Sequence, residues 1–138
     1  MKSLSMPLAS ILRVLKNIYQ RNDIARWQEV RVSDPPWDER NQIIAKLIPD
    51  NTSVLDIGCG AQTLRKYLGY GVRYQPCDLI AADGVLFCDF NSGIYPDIQQ
   101  PFDFVVCSGS MEYARRPEEF IERIAGFGET LILSYISR

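Results

Sequence analysis

The strongest indication of the fold of this 138-residue chain is the stretch Val54-Leu55-Asp56-Ile57-Gly58-Cys59-Gly60. A mostly apolar strand runs into two glycines, which allow a tight turn and a close approach of a ligand to the backbone. A helical signal follows at 63–68. Such a turn presents backbone N–H groups to the anionic end of a ligand, so the stretch predicts a binding loop. A turn that needs glycine only for its geometry is the alternative, because Thr63 stands where the dinucleotide fingerprint has its third glycine.

Short apolar strands alternate with helices or loops after residue 52, and this order predicts parallel pairing through right-handed crossovers. The predicted strands are 53–57, 72–77, 85–88, 104–107 and 130–134. Helices are predicted at about 35–48, at 63–68 and at 117–125. The strands are almost continuously apolar, which is typical of a sheet covered on both faces. We therefore expect an α/β domain over residues 34–138.

Residues 1–33 predict an amphipathic helical arm. Apolar side chains recur at helical spacing from Leu8 to Tyr19, after Pro7, and basic and amide side chains lie opposite. We expect this helix to pack on the body or on a second subunit, with a membrane surface or an acidic partner as the alternative. Trp27 and Trp37 are expected to be hydrophobic anchors, with a lid over a substrate as the alternative.

Composition and charge exclude several classes of protein. The chain is 46% hydrophobic and 23% charged with a net charge of −2, which argues against a disordered chain and against nucleic-acid binding. No apolar run approaches the length of a membrane span, and the start lacks the pattern of a signal peptide. Histidine is absent, which removes the commonest general base and the commonest metal ligand.

The four cysteines, at 59, 77, 88 and 107, lack the spacing of a metal site. Each lies in or beside an apolar run, so we expect reduced thiols in a cytoplasmic protein and no metal site. Cys77, Cys88 and Cys107 would lie near the same ends of neighbouring strands, which leaves a metal or redox cluster as the alternative.

Three acidic residues end successive predicted strands. Asp56 lies near the end of the first, Asp78 follows the second, and Asp89 follows the third. Open α/β sheets bind ligands at this edge, and a carboxylate after the second strand can accept both hydroxyl protons of a ribose. Each acid alone is also explained as a helix N-cap or a solvated turn residue. The three together favour a nucleoside-like ligand.

At these residues the sequence resembles the class I S-adenosylmethionine-dependent methyltransferases. The run 54–60 matches their first motif, and an acid two residues before the first glycine separates this family from nicotinamide-binding Rossmann domains. The resemblance extends from about Trp37 onward. It implies a three-layer Rossmann-like fold with a mostly parallel sheet, strand order 3-2-1-4-5, preceded by N-terminal helices.

The resemblance also implies that S-adenosylmethionine is the cofactor. Gly58, Cys59 and Gly60 would surround its methionine part, and Asp56 would hold the loop or meet the amino group.

The remaining cofactor contacts implied by the resemblance lie after the second, third and fourth strands. Asp78 would bind the ribose hydroxyls, and Leu79 would pack on the adenine. Asp89 would accept from the adenine amino group, and Phe90 would supply a backbone N–H. Ser108 would end the fourth strand beside the cofactor.

The segment 109–113 looks like the substrate-facing loop of the family. Glu112 and Tyr113 are the candidate catalytic bases, with a helix-start acid facing water as the alternative for Glu112. No Asn/Asp-Pro-Pro-aromatic tetrad follows the fourth strand. Small metabolites or cell-envelope sugars and lipids are therefore the expected acceptors, and not nucleic acid.

Three features depart from the family pattern. Gln62 replaces a small residue of the first motif, and Pro76 lies inside the second strand, where it removes a ladder donor. The sequence ends soon after the fifth strand, whereas full members add two more strands. We therefore expect one of two explanations: the sequence is a truncated form of a longer chain, or the exposed fifth strand is covered by the N-terminal helix or by another chain. A homodimer would form through the N-terminal helix or through the fifth strand.

The expected function is that of an S-adenosylmethionine-dependent methyltransferase. The alternatives are a non-catalytic binding or scaffolding module on a methyltransferase-like fold, and a nicotinamide-dependent oxidoreductase. Asp56 and the missing third glycine argue against the oxidoreductase.

Overall fold

Five parallel strands form one sheet in the computed structural model, which describes residues 35–134 of the chain. The strands are β1 (Ser53–Ile57), β2 (Arg73–Asp78), β3 (Leu86–Phe87), β4 (Phe102–Ser108) and β5 (Gly128–Ser134). The two α-helices of this part are α1 (Pro35–Ala45) and α2 (Pro117–Ala125). Short 3-10 helices cover Thr63–Tyr67, Phe90–Ser92 and Met111–Tyr113. The order β3-β2-β1-β4-β5 confirms the predicted α/β fold and its strand order.

The two faces of the sheet have separate apolar cores because successive strand residues point to opposite sides. Leu55 and Ile57 of β1 lie in one buried cluster, together with Phe120 and Ile124 of α2. Val54 lies in the other cluster, together with Ile44 of α1 and Leu64 of the first 3-10 helix. The sheet is thus the middle of three layers, as predicted.

Three elements differ from the sequence-based expectation. Residues 63–68 do not form an α-helix, because Gln62 takes a left-handed conformation (φ 58°) and the chain then tightens into the 3-10 helix Thr63–Tyr67. The third strand is only two residues long, since Leu86 and Phe87 alone pair with β2. The helix predicted over about 35–48 is α1, which ends at Ala45. Tighter turns continue the chain from there to Ile48.

Pro76 sits in β2 without breaking the sheet. The neighbouring Cys77 carbonyl accepts bonds from the β1 side, and the Asp78 carbonyl accepts from Cys88 on the β3 side. Since backbone groups alternate between the two sides of a strand, the nitrogen of Pro76 faces the β3 side. Pairing with β3 begins only at Cys77, so the missing donor costs no ladder bond.

All five strands run in the same direction, so their carboxyl ends meet at one edge. The chain leaves β1 for β2 on one side, while β4 pairs with β1 on the other. Ligands of open α/β sheets bind in the crevice at such a reversal of strand order. Among residues 35–134, neither helix is long and apolar enough to cross a bilayer.

Candidate functional site

The turn after β1 depends on glycine backbone conformations. Gly58 and Gly60 have φ values of 71° and 50°, which side-chain-bearing residues rarely adopt. The N–H groups of Gly58 and Cys59 both donate to the Cys77 carbonyl, at 2.8 and 3.1 Å. The turn therefore folds back onto the end of β2, and glycine adopts both of these backbone conformations without strain.

Asp78 fixes this turn from the neighbouring strand. Its Oδ2 accepts the Gly60 N–H at 2.7 Å and the Cys59 thiol at 3.7 Å, and its Oδ1 accepts the Ile80 N–H at 3.2 Å. Burial, with the carboxylates of Asp56 and Asp78 close by, raises the pKa of the Cys59 thiol, so the thiol keeps its proton and donates it. Leu79 is half-buried beside this carboxylate.

Asp56 is a buried carboxyl group at the end of β1, with 3% of its surface exposed. The Tyr74 hydroxyl donates to its Oδ2 at 2.6 Å. Burial raises the pKa of Asp56 to about 6, Tyr74 works in the opposite direction, and the nearby charge of Asp78 adds to the increase. A positive charge placed beside a carboxyl group with such a pKa would favour its ionised form.

Asp89 is the third buried acid, and it caps the turn that follows β3. Its Oδ1 accepts the Ser92 N–H at 3.1 Å, and its backbone exchanges two hydrogen bonds with Ile94. The Phe90 ring packs against Phe120 with ring centroids 4.5 Å apart. The N-cap interpretation of this acid is thus correct for one of its oxygens.

The segment after β4 joins the same edge of the sheet. The buried Ser110 hydroxyl donates to the Ile57 carbonyl at 3.2 Å, which ties this segment to the end of β1. Glu112 is exposed and Tyr113 is half-buried, both on the 3-10 helix Met111–Tyr113. Asn91 bridges the Tyr113 carbonyl and the Arg115 N–H, at 2.9 Å each.

Arg40 of α1 reaches the same edge, and the sequence analysis did not identify it. Its guanidinium donates to the Ser108 carbonyl at 3.4 Å and lies against Gly109, where an added Cβ would come within 2.7 Å of it. Within residues 35–134 its buried Nε finds no hydrogen-bond partner. The adjacent Asn41 accepts from the Ser108 hydroxyl at 3.1 Å.

The signal that could have found Arg40 is its spacing. Arg40, Ile44 and Ile48 recur every four residues, and both isoleucines are buried. Arginine is rarely buried unless its charge is paired, so an arginine on the buried face of a helix indicates a specific partner.

Comparison with known proteins identifies the family. The model of the family described as "Methionine biosynthesis protein MetW" matches residues 38–137, which is most of the chain. The chain belongs to the MetW family. This is a methyltransferase-like family, and the resemblance to class I methyltransferases is thereby confirmed.

One solved structure similar to this MetW-family chain belongs to a complex between the Haloferax volcanii Trm112 methyltransferase activator and a protein described as a methyltransferase. The identity is 21% and the TM-score 0.46. The match covers 63% of this chain, which spans 44% of the length of the other. A search of curated proteins gave no match.

The MetW-family fold brings the sequence-predicted residues to one edge of the sheet. Direct hydrogen bonds join Cys59 and Gly60 to Asp78, and Ser108 to the segment of α1 that holds Arg40. Asp56, Gly58, Leu79, Asp89 and Phe90 lie at the ends of β1, β2 and β3.

The four cysteines are free thiols buried inside this MetW-family domain. Cys77, Cys88 and Cys107 belong to the apolar cluster beneath α2, and burial raises the pKa of the Cys107 thiol to about 12. In the part of the chain that the structure describes, no three His, Cys, Asp or Glu side chains are grouped as metal ligands would be.

Proposed function

We propose that this chain binds S-adenosylmethionine at the carboxyl edge of β1, β2 and β3 and transfers its methyl group to a small-molecule or cell-envelope acceptor. The observation that carries the proposal is the placement of three buried acids, Asp56, Asp78 and Asp89, at the carboxyl ends of β1, β2 and β3, with Asp78 bonded to the Gly60 N–H. Each of these acids already has a donor within the domain. Three acidic side chains at the edge where open α/β sheets bind ligands still favour a ligand with several donors and a positive charge. We assign this site to the domain of residues 34–138.

The hydrogen-bonding capacity of Asp78 fits a ribose. A carboxylate has about four lone-pair sites, and the donors from Gly60, Cys59 and Ile80 use three of them. One ribose hydroxyl would use the remaining lone pair of Oδ1. The second would replace the Cys59 thiol, which is the weakest of the three donors.

Arg40 and Asp56 would be the partners of the two charges of the methionine part. Arg40 has a buried Nε that lacks a partner within residues 35–134, and a carboxylate is the group that a guanidinium binds best. Asp56 is poised to ionise near a pH of 6, so a cation beside it would complete its charge pairing.

When bound, S-adenosylmethionine supplies an activated methyl group on a positively charged sulfur. The protein must hold the acceptor atom in line with that methyl group and exclude water. We assign this task to the loop after β4, which Ser110 ties to the end of β1. For an acceptor that must lose a proton, Glu112 and Tyr113 are the proposed bases, since the chain has no histidine.

The test uses S-adenosylmethionine labelled on its methyl group, incubated with fractionated metabolite and lipid extracts. The proposal expects label in one acceptor together with an equal amount of S-adenosylhomocysteine, and less of both with Glu112→Gln or Tyr113→Phe. Binding of S-adenosylhomocysteine without any transfer would instead support the non-catalytic module.

A further inference from the structure

The side chain of Asn91 joins the turn after β3, which belongs to the proposed adenine site, to the segment after β4 on the proposed acceptor side. Its Nδ2 donates to the Tyr113 carbonyl and its Oδ1 accepts the Arg115 N–H, both at 2.9 Å. The carboxamide thus donates one hydrogen bond to the backbone at Tyr113 and accepts another from the backbone at Arg115. A neighbouring β-strand would bond to a backbone segment of this length in the same way. The Asn91 side chain therefore links the segment after β4 to the turn after β3.

The turn that carries Asn91 is itself held by residues of the proposed adenine site. Asp89 caps it through the Ser92 N–H at 3.1 Å. Phe90 anchors it through the ring of Phe120, which is 1% exposed. A ligand that contacts Asp89 and Phe90 thus contacts the two residues that directly precede Asn91 in the same turn.

The far end of the bridge is the acceptor side. Tyr113 ends the 3-10 helix Met111–Tyr113, and Arg115 lies two residues before α2. Irregular segments of this kind open at low free energy unless they are tied down, so the two Asn91 bonds matter more here than they would inside a helix.

We propose that Asn91 is a positioning residue that couples occupation of the adenine site to ordering of the acceptor-side segment 111–116. This inference rests on the proposed function. Binding at Asp89 and Phe90 steadies the turn, and the turn holds Tyr113 and Arg115 through Asn91. The cofactor then prepares the acceptor side before the acceptor arrives, a coupling through local order.

Two substitutions of Asn91 should weaken the coupling to different extents. Asn91→Ala removes both bonds. Asn91→Asp keeps an acceptor for the Arg115 N–H but places an oxygen against the Tyr113 carbonyl, so it should retain part of the coupling. Gln99→Ala is the matched control, because Gln99 is also an amide between β3 and β4, but its side chain donates to the exposed Asp97.

The test is hydrogen exchange at the amides of 111–116, with and without S-adenosylhomocysteine. In the wild type and in Gln99→Ala, the ligand should slow exchange about fivefold or more. In Asn91→Ala the ligand should bind with an affinity within about threefold of wild type and give no slowing. Asn91→Asp should lie between. Slowing of equal size in Asn91→Ala would overturn the inference.

A ligand-free comparison separates this inference from the proposed function. Asp89→Ala releases the cap of the turn and should speed exchange at 111–116, but it should add nothing in the Asn91→Ala background. S-adenosylhomocysteine could fail to bind the wild type while Asp89→Ala still speeds exchange only when Asn91 is present. The proposed function would then be wrong, but the link from the turn to segment 111–116 through Asn91 would stand. If Asp89→Ala leaves exchange at 111–116 unchanged, the link itself is wrong.

Discussion

Asp78 and Gly60, which are 18 residues apart, are joined by a hydrogen bond of 2.7 Å from the Gly60 N–H to the Asp78 carboxylate. The same carboxylate that the ribose would need thus holds the glycine turn on the end of β2. Cofactor binding and the shape of the turn therefore depend on one side chain. A substitution at Asp78 should affect both.

Replacing Asp78 by alanine should weaken binding of S-adenosylhomocysteine by on the order of 1–3 kcal/mol, because ribose hydroxyls and the Gly60 N–H lose their acceptor. Asp78→Asn should weaken it less, since an amide oxygen still accepts. Calorimetric titration of both variants measures the order.

Asp103→Ala is the control for that loss, because the Asp103 carboxylate also accepts from backbone, at Ser53, but at the amino edge of the sheet. It should lower the free energy of unfolding while leaving ligand affinity unchanged. Equal loss of affinity in Asp78→Ala and Asp103→Ala would contradict a ribose role for Asp78.

Asp56 should make the protein less stable as the pH rises from about 4 to about 6. Its pKa is raised from 3.8 to about 6 in the folded protein, so in this range the folded state holds a proton that the unfolded state has lost. The contribution to the free energy of unfolding is largest below pH 4 and falls by about 3 kcal/mol once the pH exceeds 6. Denaturant unfolding of wild type and Asp56→Asn at pH 4 and pH 7 measures it, since the variant lacks this dependence.

Tyr74→Phe tests the cause of that shift. The Tyr74 hydroxyl stabilises the ionised carboxylate, so its removal should push the pKa of Asp56 higher and extend the loss of stability above pH 6. An unchanged pH profile in this variant would mean that Tyr74 does not influence the charge of Asp56.

Binding of S-adenosylmethionine should release the proton of Asp56. A positive ligand beside the carboxyl group favours its ionised form, so affinity should rise by roughly tenfold between pH 5 and pH 7. Titrations in two buffers of different ionisation enthalpy would count the proton released near pH 6. The same affinity and proton count in Asp56→Asn would exclude Asp56 as the group that titrates.

Arg40→Met should discriminate between ligands with and without a carboxylate. The methionine keeps the apolar stem, so the core beneath should be preserved. Affinity for S-adenosylhomocysteine should fall about tenfold or more, while methylthioadenosine, which lacks the amino-acid part, should bind as before. Equal losses for both ligands would show a general structural effect instead.

The elements predicted best are those whose sequence signal is local. The apolar run 53–57 and the glycines after it gave β1 and its turn, and the proline-started amphipathic pattern gave α2 with the predicted bounds. β3 was predicted longer than it is, because an apolar run reports burial and not how many residues pair. The helix expected at 63–68 is a 3-10 helix because the left-handed Gln62 redirects the chain, which a propensity pattern does not register.

The acids of the site could be predicted because each one ends a strand, whereas two other residues could not. Arg40 is far from the binding motif in sequence, and only the packing of α1 on the sheet brings it to Gly109. Asn91 belongs to no motif, and its two backbone partners lie more than 20 residues away. Contacts of this kind depend on the tertiary structure.

Calorimetric titration of the purified protein with S-adenosylmethionine, S-adenosylhomocysteine and NAD would test the proposed cofactor site without any knowledge of the acceptor. We expect saturable one-to-one binding of the first two at micromolar affinity, weakened in Asp78→Ala but not in Asp103→Ala, and no binding of NAD. Absence of binding by both sulfur nucleosides in a protein that unfolds cooperatively would contradict the proposed cofactor site.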